Sequence, residues 1–215
     1  MRVVVHEFMT LDGVVQGPGS PDEDPDGGFT QGGWILPFVR HTEWGEVIDR
    51  WFERADTVLL GRRTHDIMRP YWSEADAGPN PAASALHEAP KFVISTTASS
   101  STWENTRVIA RRPCELVDEL RGRPGGELQV HGSWQVVRAL QRADLVDEYR
   151  MIIFPVVVGS GKRLFPDGCP PISFGDATSE WLGHGITYRR LAVAGRGPLV
   201  PRRRNTGGSA FLRVQ

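Results

Sequence analysis

The sequence has few cysteines, no long apolar run and almost no net charge. Its 215 residues include only Cys114 and Cys169, too few for a disulfide framework. No segment approaches membrane-spanning length, and the N-terminus enters a strand pattern without the features of a signal peptide. With 25 Lys+Arg against 26 Asp+Glu, the net charge of -1 gives no global field that would attract nucleic acid. These absences predict a cytoplasmic protein that binds neither nucleic acid nor a membrane.

Apolar runs along the chain have the composition of β-strands. Several are too continuous to lie in a sheet with one solvated face, which indicates a buried, largely parallel sheet. The predicted strands cover residues 3–5, 58–60, 92–94, 107–109, 128–130 and 149–158, and a closing edge strand covers 186–193.

Helix patterns separate these strands. The first has Thr42 as its predicted N-cap, the second begins near Pro113, and the third follows Ser133. Alternating strands and helices predict a single α/β domain over residues 2–193, with a mostly parallel central sheet flanked by helices. Residues 194–215 are interpreted as a C-terminal extension. In such folds ligands bind beyond the carboxyl ends of the strands.

Two strand-to-helix turns have residues suited to an anion: 61–64 (Gly-Arg-Arg-Thr) and 131–135 (His-Gly-Ser-Trp-Gln). The first N–H groups of a helix have no internal partner and carry the positive end of its dipole, so a phosphate is favoured there. Glycine permits close approach, arginine adds charge-assisted bonds, and the hydroxyls of Thr64 and Ser133 donate or cap. Two such turns on one sheet predict a diphosphate site.

Two other segments suggest ligands less strongly. Residues 159–162 (Gly-Ser-Gly-Lys) do not form a nucleotide loop, because Val156 and Arg163 stand where a glycine and a hydroxyl are needed. Residues 17–33 form a long loop whose acidic run, 22–24, is interpreted as solvated. The histidines show no ligand spacing, so no metal is predicted.

Taken in order, several segments resemble the dihydrofolate reductase superfamily. They are 8–13 (FMTLDG), 56–64 (DTVLLGRRT), 91–95 (KFVIS), 130–133 (VHGS) and 145–165, which contains LVDE and GSGKRLF. They are most similar to the reductase domain of the bifunctional riboflavin-biosynthesis deaminase-reductase and its stand-alone relatives. The resemblance covers residues 2–193, whereas the deaminase half and its zinc signature are absent.

This resemblance implies an NADPH-dependent reductase. By position, Gly61, Arg62 and Thr64 would hold the cofactor pyrophosphate from one side. The residues that would hold it from the other side are Gly132, Ser133, Trp134 and Gln135. Ser95 and Thr96 match the place where the superfamily meets the 2′-phosphate. The arginine frequent there is replaced by Thr96, so a preference for NADPH over NADH depends on Arg63 and the hydroxyls.

The substrate side follows from the same resemblance. Asp12 lies in the loop that borders the nicotinamide, and Trp34 matches a tryptophan that contacts substrate, although a core role is the alternative. His131 stands where the riboflavin enzymes have a glutamate. Because histidine offers a donor and an acceptor, the phosphorylated pyrimidine substrate is in doubt, and His131 is either a substrate contact or a packing residue. Asp49 lies near the single acid of dihydrofolate reductases, with Glu46 as a competitor and a solvated role as the alternative.

The leading hypothesis is therefore a cytoplasmic, homodimeric, NADPH-dependent reductase of a small heterocycle, most like 5-amino-6-(5-phosphoribosylamino)uracil reductase. One alternative reduces a pterin or dihydrofolate-type heterocycle. Another is a regulatory module that binds NADP without turnover. An intact pocket around Trp34 and Asp49 would favour catalysis, and a filled one would favour binding alone.

Overall fold

An eight-stranded sheet runs through the protein, for which a computed structural model describes residues 1–73 and 81–196. The strands are β1 (Arg2–Thr10), β2 (Ala55–Gly61), β3 (Lys91–Ile94), β4 (Thr106–Ile109), β5 (Glu127–Val130), β6 (Glu148–Phe154), β7 (Ile172–Trp181) and β8 (Thr187–Arg196). Their order is β4-β3-β2-β5-β1-β6-β8-β7. All pairings from β4 to β6 are parallel, and β8 runs antiparallel to both β6 and β7. The predicted α/β fold with a mostly parallel sheet is confirmed.

Helices cover both faces of the sheet. They are α1 (Glu43–Phe52), α2 (Arg62–Ser73), α3 (Pro81–Glu88), α4 (Pro113–Arg121) and α5 (Trp134–Arg142). The continuous valines of β1 are fully buried, because α4 and α5 pack on one face and α1 packs on the other. Among the described helices, none has the length and apolar content needed to cross a membrane.

Several predicted boundaries differ from the structure. The strand predicted to end at Val158 ends at Phe154, and β8 is not an edge, because β7 lies outside it. Most residues of β7 are exposed, so it has no apolar run to reveal it. Thr42 has a helical backbone and forms no side-chain cap. β8 reaches Arg196, inside the predicted extension, and residues 197–215 lie outside the described part of the chain.

The central parallel strands end at different positions along the strand direction, which opens a gap in the sheet. β5 pairs with β1 only as far as Val5, whereas β6 pairs with β1 as far as Thr10. The second half of β1 therefore has no paired strand on its β5 side. The open edge lies beside the carboxyl ends of β2 and β5, where ligands bind in this class of fold.

Candidate functional site

The two predicted anion turns meet at this gap. β2 ends at Gly61 next to β5, and the Gly61 amide donates a hydrogen bond to the Gly132 carbonyl at 3.1 Å. A Cβ atom at Gly61 would lie 2.0 Å from Ser133 Oγ, so only glycine allows this approach. The Gly132–Ser133 peptide bond is cis. Because α2 begins directly after Gly61 and α5 directly after Ser133, two helix N-termini open at one edge of the sheet.

A polar cleft of about 490 Å³ lies at these N-termini. The predicted cofactor residues that line it are Gly61, Arg62, Arg63, Ser95, Thr96, Ser133, Trp134 and Gln135. Ser95 and Thr96 follow β3, the neighbour of β2 in the sheet. The sheet order thus brings together three segments that are far apart in the sequence, and it gives the cleft backbone donors, hydroxyls and two arginines.

The two arginines point in different directions, contrary to the prediction that Arg63 acts with Ser95 and Thr96. Arg62 Nη1 donates to Thr97 Oγ1 at 3.3 Å, which places Arg62 beside the loop after β3. Its Nε also pairs with Asp66 at 2.5 Å. Arg63 instead turns to the opposite side of the cleft. The helix geometry causes this difference, because consecutive residues of α2 project about 100° apart.

Arg63 pairs with the acidic loop that the sequence analysis interpreted as solvated. Its guanidinium binds Asp24 and forms two bonds with Asp26, at 2.5 and 3.0 Å. Lys162 Nζ completes the cluster, at 2.7 Å from Asp24 and 2.9 Å from Asp26. The hydrogen bond from Arg63 and the neighbouring Lys162 hold the pKa of Asp26 far below its ordinary value. Two carboxylates therefore already neutralise two cations at the rim of the polar cleft.

An apolar cavity of about 270 Å³ adjoins the polar cleft. Thr64 and Gly132, which the sequence analysis assigned to the cofactor, line this second cavity and are chain neighbours of residues in the cleft. Its apolar walls include Phe8, Ile35, Ile48, Phe52, Ile67, Met68 and Trp72. The cavity is open and not filled by side chains, so a ligand there would reach the same turns that border the polar cleft.

Two stacked histidines form part of the cavity lining. The rings of His6 and His131 lie 4.7 Å apart, and His131 also stacks on Phe52 at 4.8 Å. Burial, together with Arg150, lowers the pKa of His131 to about 3. Burial, His131 and Arg150 also lower the pKa of His6 well below its ordinary value. Both imidazoles are therefore neutral.

The tautomer of His131 follows from its neighbour Gln129. Gln129 Nε2 donates to the Trp51 carbonyl at 2.5 Å, so its Oε1 is an acceptor. His131 Nε2 lies 3.0 Å from that Oε1 and must carry the proton. Nδ1 is then an acceptor, and no donor in the described part of the chain is bonded to it. His131 therefore combines a packing role with a free acceptor at the cavity.

Glu7 also lines the apolar cavity, and the sequence analysis missed it. Its side chain is partly buried, and burial raises its pKa from 4.5 to about 8. Within the described residues, no hydrogen bond or ion pair holds its carboxyl group. A carboxylate inside the apolar run of β1 was the available signal, because such residues are seldom buried without a function.

Three predicted site residues lie outside both cavities. Trp34 is 7% exposed, packs on Phe154 and donates from Nε1 to the Gln16 carbonyl at 2.8 Å, which is the alternative core role. Asp12 accepts hydrogen bonds from Thr10 Oγ1 at 2.6 Å and the Gly159 amide at 2.9 Å, and so joins two loops. Asp49 is partly exposed on α1, and neither cavity has it in its lining. Their predicted roles stay predictions, since neither cavity has any of the three in its lining.

The protein has a dihydrofolate reductase-like fold. The structure of Enterococcus faecalis dihydrofolate reductase complexed with NADP(H) superposes with a TM-score of 0.56 at 15% identity, over 90% of this chain and 97% of that one. A Shewanella sp. PV-4 protein named for riboflavin biosynthesis superposes with a TM-score of 0.62 at 22% identity, over 90% of this chain and 99% of that one.

Sequence comparison identifies the family within this class. The model of the RibD C-terminal domain matches residues 1–188, and the chain belongs to that family. The uncharacterized protein YyaP of Bacillus subtilis (strain 168) is 28% identical over 176 residues, which cover 77% of this chain and 81% of YyaP. The predicted resemblance is confirmed, and both the family and the fold are those of reductases.

Proposed function

We propose that this protein is an NADPH-dependent reductase of a small heterocycle. The observation that carries the proposal is the junction of two unlike cavities at residues 61–64 and 131–133. The polar cleft suits a dinucleotide, and the apolar cavity suits a planar ring. The apolar cavity is lined by neither Trp34 nor Asp49, but it leaves room for a substrate ring beside the cofactor turns, which supports catalysis over the alternative of a regulatory module that only binds NADP.

The residues of the polar cleft fit the phosphates of the cofactor. The helix N-termini at Arg62 and Trp134 offer backbone donors, and the close approach of Gly61 to Ser133 leaves backbone accessible to a pyrophosphate. Arg62, beside Ser95 and Thr96, would bind the 2′-phosphate that distinguishes NADPH from NADH. When bound, the nicotinamide supplies a hydride.

The residues of the apolar cavity would orient the heterocycle and move a proton. The free Nδ1 of His131 would accept a hydrogen bond from a ring N–H or amino group. Hydride addition places negative charge on nitrogen or oxygen, which needs a proton. Glu7, whose raised pKa of about 8 keeps it protonated at neutral pH, would supply that proton at the cavity. This role replaces the one predicted for Asp49.

A cofactor-oxidation assay tests the proposal. Purified protein is mixed with NADPH and with pyrimidine, pterin or flavin substrates in turn, and the loss of NADPH absorbance is followed. The resemblance to the RibD family favours a pyrimidine, and the dihydrofolate reductase fold favours a pterin. Binding of NADPH without turnover of any heterocycle would support the regulatory module instead.

We also propose that the protein acts as a cytoplasmic homodimer. The edge strand β7 is largely exposed, and Trp181 at its end is 69% exposed, so an unpaired edge and an apolar side chain are available for self-association. Light scattering at several protein concentrations would measure the molar mass in solution and so test for the homodimer. The molar mass of a single chain at every concentration would contradict the homodimer.

A further inference from the structure

The described residues that line the apolar cavity include no cation. Its charged residues are Glu7 and Glu23, and the structure shows no lysine or arginine among the described residues that line it. Burial raises the pKa of both glutamates, and the histidines His6 and His131 are neutral. Residues 74–80 follow the cavity residue Trp72 in sequence but lie outside the described ranges, and their charged members are only Glu74 and Asp76.

Arginines do gather near the cavity, but in a different groove. That groove is lined by Arg50, Arg54, Arg150 and Arg190, and Trp51 is the residue that borders both it and the apolar cavity. Most of these cations are already paired. Arg150 binds Glu127 and Glu148, Arg190 lies 3.3 Å from Glu148, and Arg50 lies 2.9 Å from Glu180. Among the described residues Arg54 has no such ion pair, but it lines the groove and not the apolar cavity.

A phosphate ester would be poorly accommodated in these surroundings. At neutral pH it carries a charge of about -1.5 to -2, and it requires charge-assisted donors when it leaves water. In the apolar cavity it would lie against hydrocarbon walls and near Glu23, whose Oε2 already accepts the Ser20 amide at 3.1 Å. The cations that line the polar cleft are already paired with carboxylates: Arg62 with Asp66, and Arg63 and Lys162 with Asp24 and Asp26.

We propose that the substrate is a planar heterocycle without a phosphate or carboxylate group, either neutral or cationic. This inference rests on the proposed function and narrows its substrate class. It departs from the phosphoribosylated pyrimidine that the sequence resemblance favours. The cavity volume of about 270 Å³ supports the same conclusion, because it suits one small ring system better than a ring with a phosphorylated sugar.

Matched ligand pairs test the proposal. Calorimetry in the presence of NADPH compares 5-amino-6-ribosylaminouracil with its 5′-phosphate, and riboflavin with flavin mononucleotide. In each pair that binds, the unphosphorylated member should bind at least about tenfold more tightly, because an unpaired charge is costly to bury. Equal or tighter binding of the phosphorylated member would overturn the proposal, as would failure of every unphosphorylated ring to bind while NADPH binds.

A gain-of-charge variant sharpens the test. Ile67 lies on α2, lines the cavity and is 40% exposed, so a longer side chain has room to reach solvent. Ile67→Arg should strengthen binding of the phosphorylated member of each pair several-fold relative to its unphosphorylated partner. Ile67→Gln is the uncharged control and should show no such selectivity. If the original protein binds the phosphorylated ligand and Arg54→Ala abolishes that binding, the arginine groove is the phosphate site and the proposal is wrong.

The design separates this proposal from the proposed function. Calorimetry with NADPH alone tests the cofactor half, and its failure would reject the reductase function whatever the ligand pairs show. Normal NADPH binding combined with a preference for phosphorylated rings would reject only the substrate class.

Discussion

Glu7→Gln should change the pH dependence of stability in a defined direction. Burial holds the pKa of Glu7 at about 8 in the folded protein, against 4.5 ordinarily. Below 4.5 the carboxyl group is protonated in both states and has no effect on the pH dependence. As pH rises from 4.5 to about 8, the unfolded chain loses the proton and the folded protein keeps it, so the free energy of unfolding falls.

The size of this effect follows from the two pKa values. Each tenfold change in acidity is worth about 1.4 kcal/mol, so the difference between 4.5 and about 8 corresponds to roughly 5 kcal/mol. Because Glu7 is partly exposed and solvent relaxes around it, we expect a loss of about 2–5 kcal/mol above the folded-state pKa. Glutamine cannot ionise, so the variant should lack this loss.

Urea unfolding at about pH 5 and about pH 9 would measure this loss of unfolding free energy. The unfolding free energy of Glu7→Gln, relative to the original protein, should be greater at the higher pH by the amount above. Parallel stability curves for the two proteins would refute the reasoning, because they would show that Glu7 is ionised normally in the folded state.

The same variant tests the proton donor. Glu7→Gln should keep NADPH affinity and lower the hydride-transfer rate by roughly 10²–10⁴, the usual contribution of a positioned acid. In the original protein the rate should fall as pH rises through about 8, where Glu7 loses its proton. Asp49→Asn is the matched control and should retain activity, because neither cavity has Asp49 in its lining. A slow hydride-transfer rate in Asp49→Asn together with a normal rate in Glu7→Gln would instead indicate that Asp49 is the proton donor.

Four further substitutions test the polar cleft. Arg62→Ala should weaken the binding of NADPH by about 1.5–3 kcal/mol and the binding of NADH much less, whereas Arg63→Ala should weaken the binding of both cofactors similarly. Titration of each variant with each cofactor measures these affinities. The opposite pattern would exchange the roles of the two arginines. Gly61→Ala should lower the melting temperature, because the added Cβ clashes with Ser133 Oγ. The additional change Ser133→Gly should restore part of the lost melting temperature. An unchanged melting temperature in Gly61→Ala would contradict the close approach of Gly61 to Ser133. Asp26→Asn should tighten NADPH binding several-fold, because it removes a carboxylate that pairs with Arg63. Weaker binding would mean that the acidic loop is needed to keep the cleft in its binding geometry.

Much of the fold was predictable from local patterns. The valine-rich runs of β1 and β2 identify buried parallel strands because both faces of such strands are covered. The glycine turns at Gly61 and Gly132 indicate strand ends suited to an anion, because backbone geometry and helix dipoles are properties of short segments. β7 escaped prediction because its exposed residues carry no burial pattern.

The roles of individual site residues depended on contacts between distant segments. The sequence resemblance assigned Arg62 to the pyrophosphate and Arg63 to the 2′-phosphate, and only the folded positions of Thr97 and Asp26 show the directions of the two side chains. Trp34 could belong to a core or a cavity until its bond to Gln16 is known.

Short-range pattern and long-range packing thus determine different properties of this protein. The sequence by itself determines where strands, helices and anion-binding turns form, because these depend on neighbouring residues. The tertiary structure alone decides that Glu7 keeps its proton and that His131 presents an acceptor. Desolvation comes from strands and helices remote in the chain, and the carbonyl of Trp51, 78 residues away, orients the Gln129 amide that bonds His131.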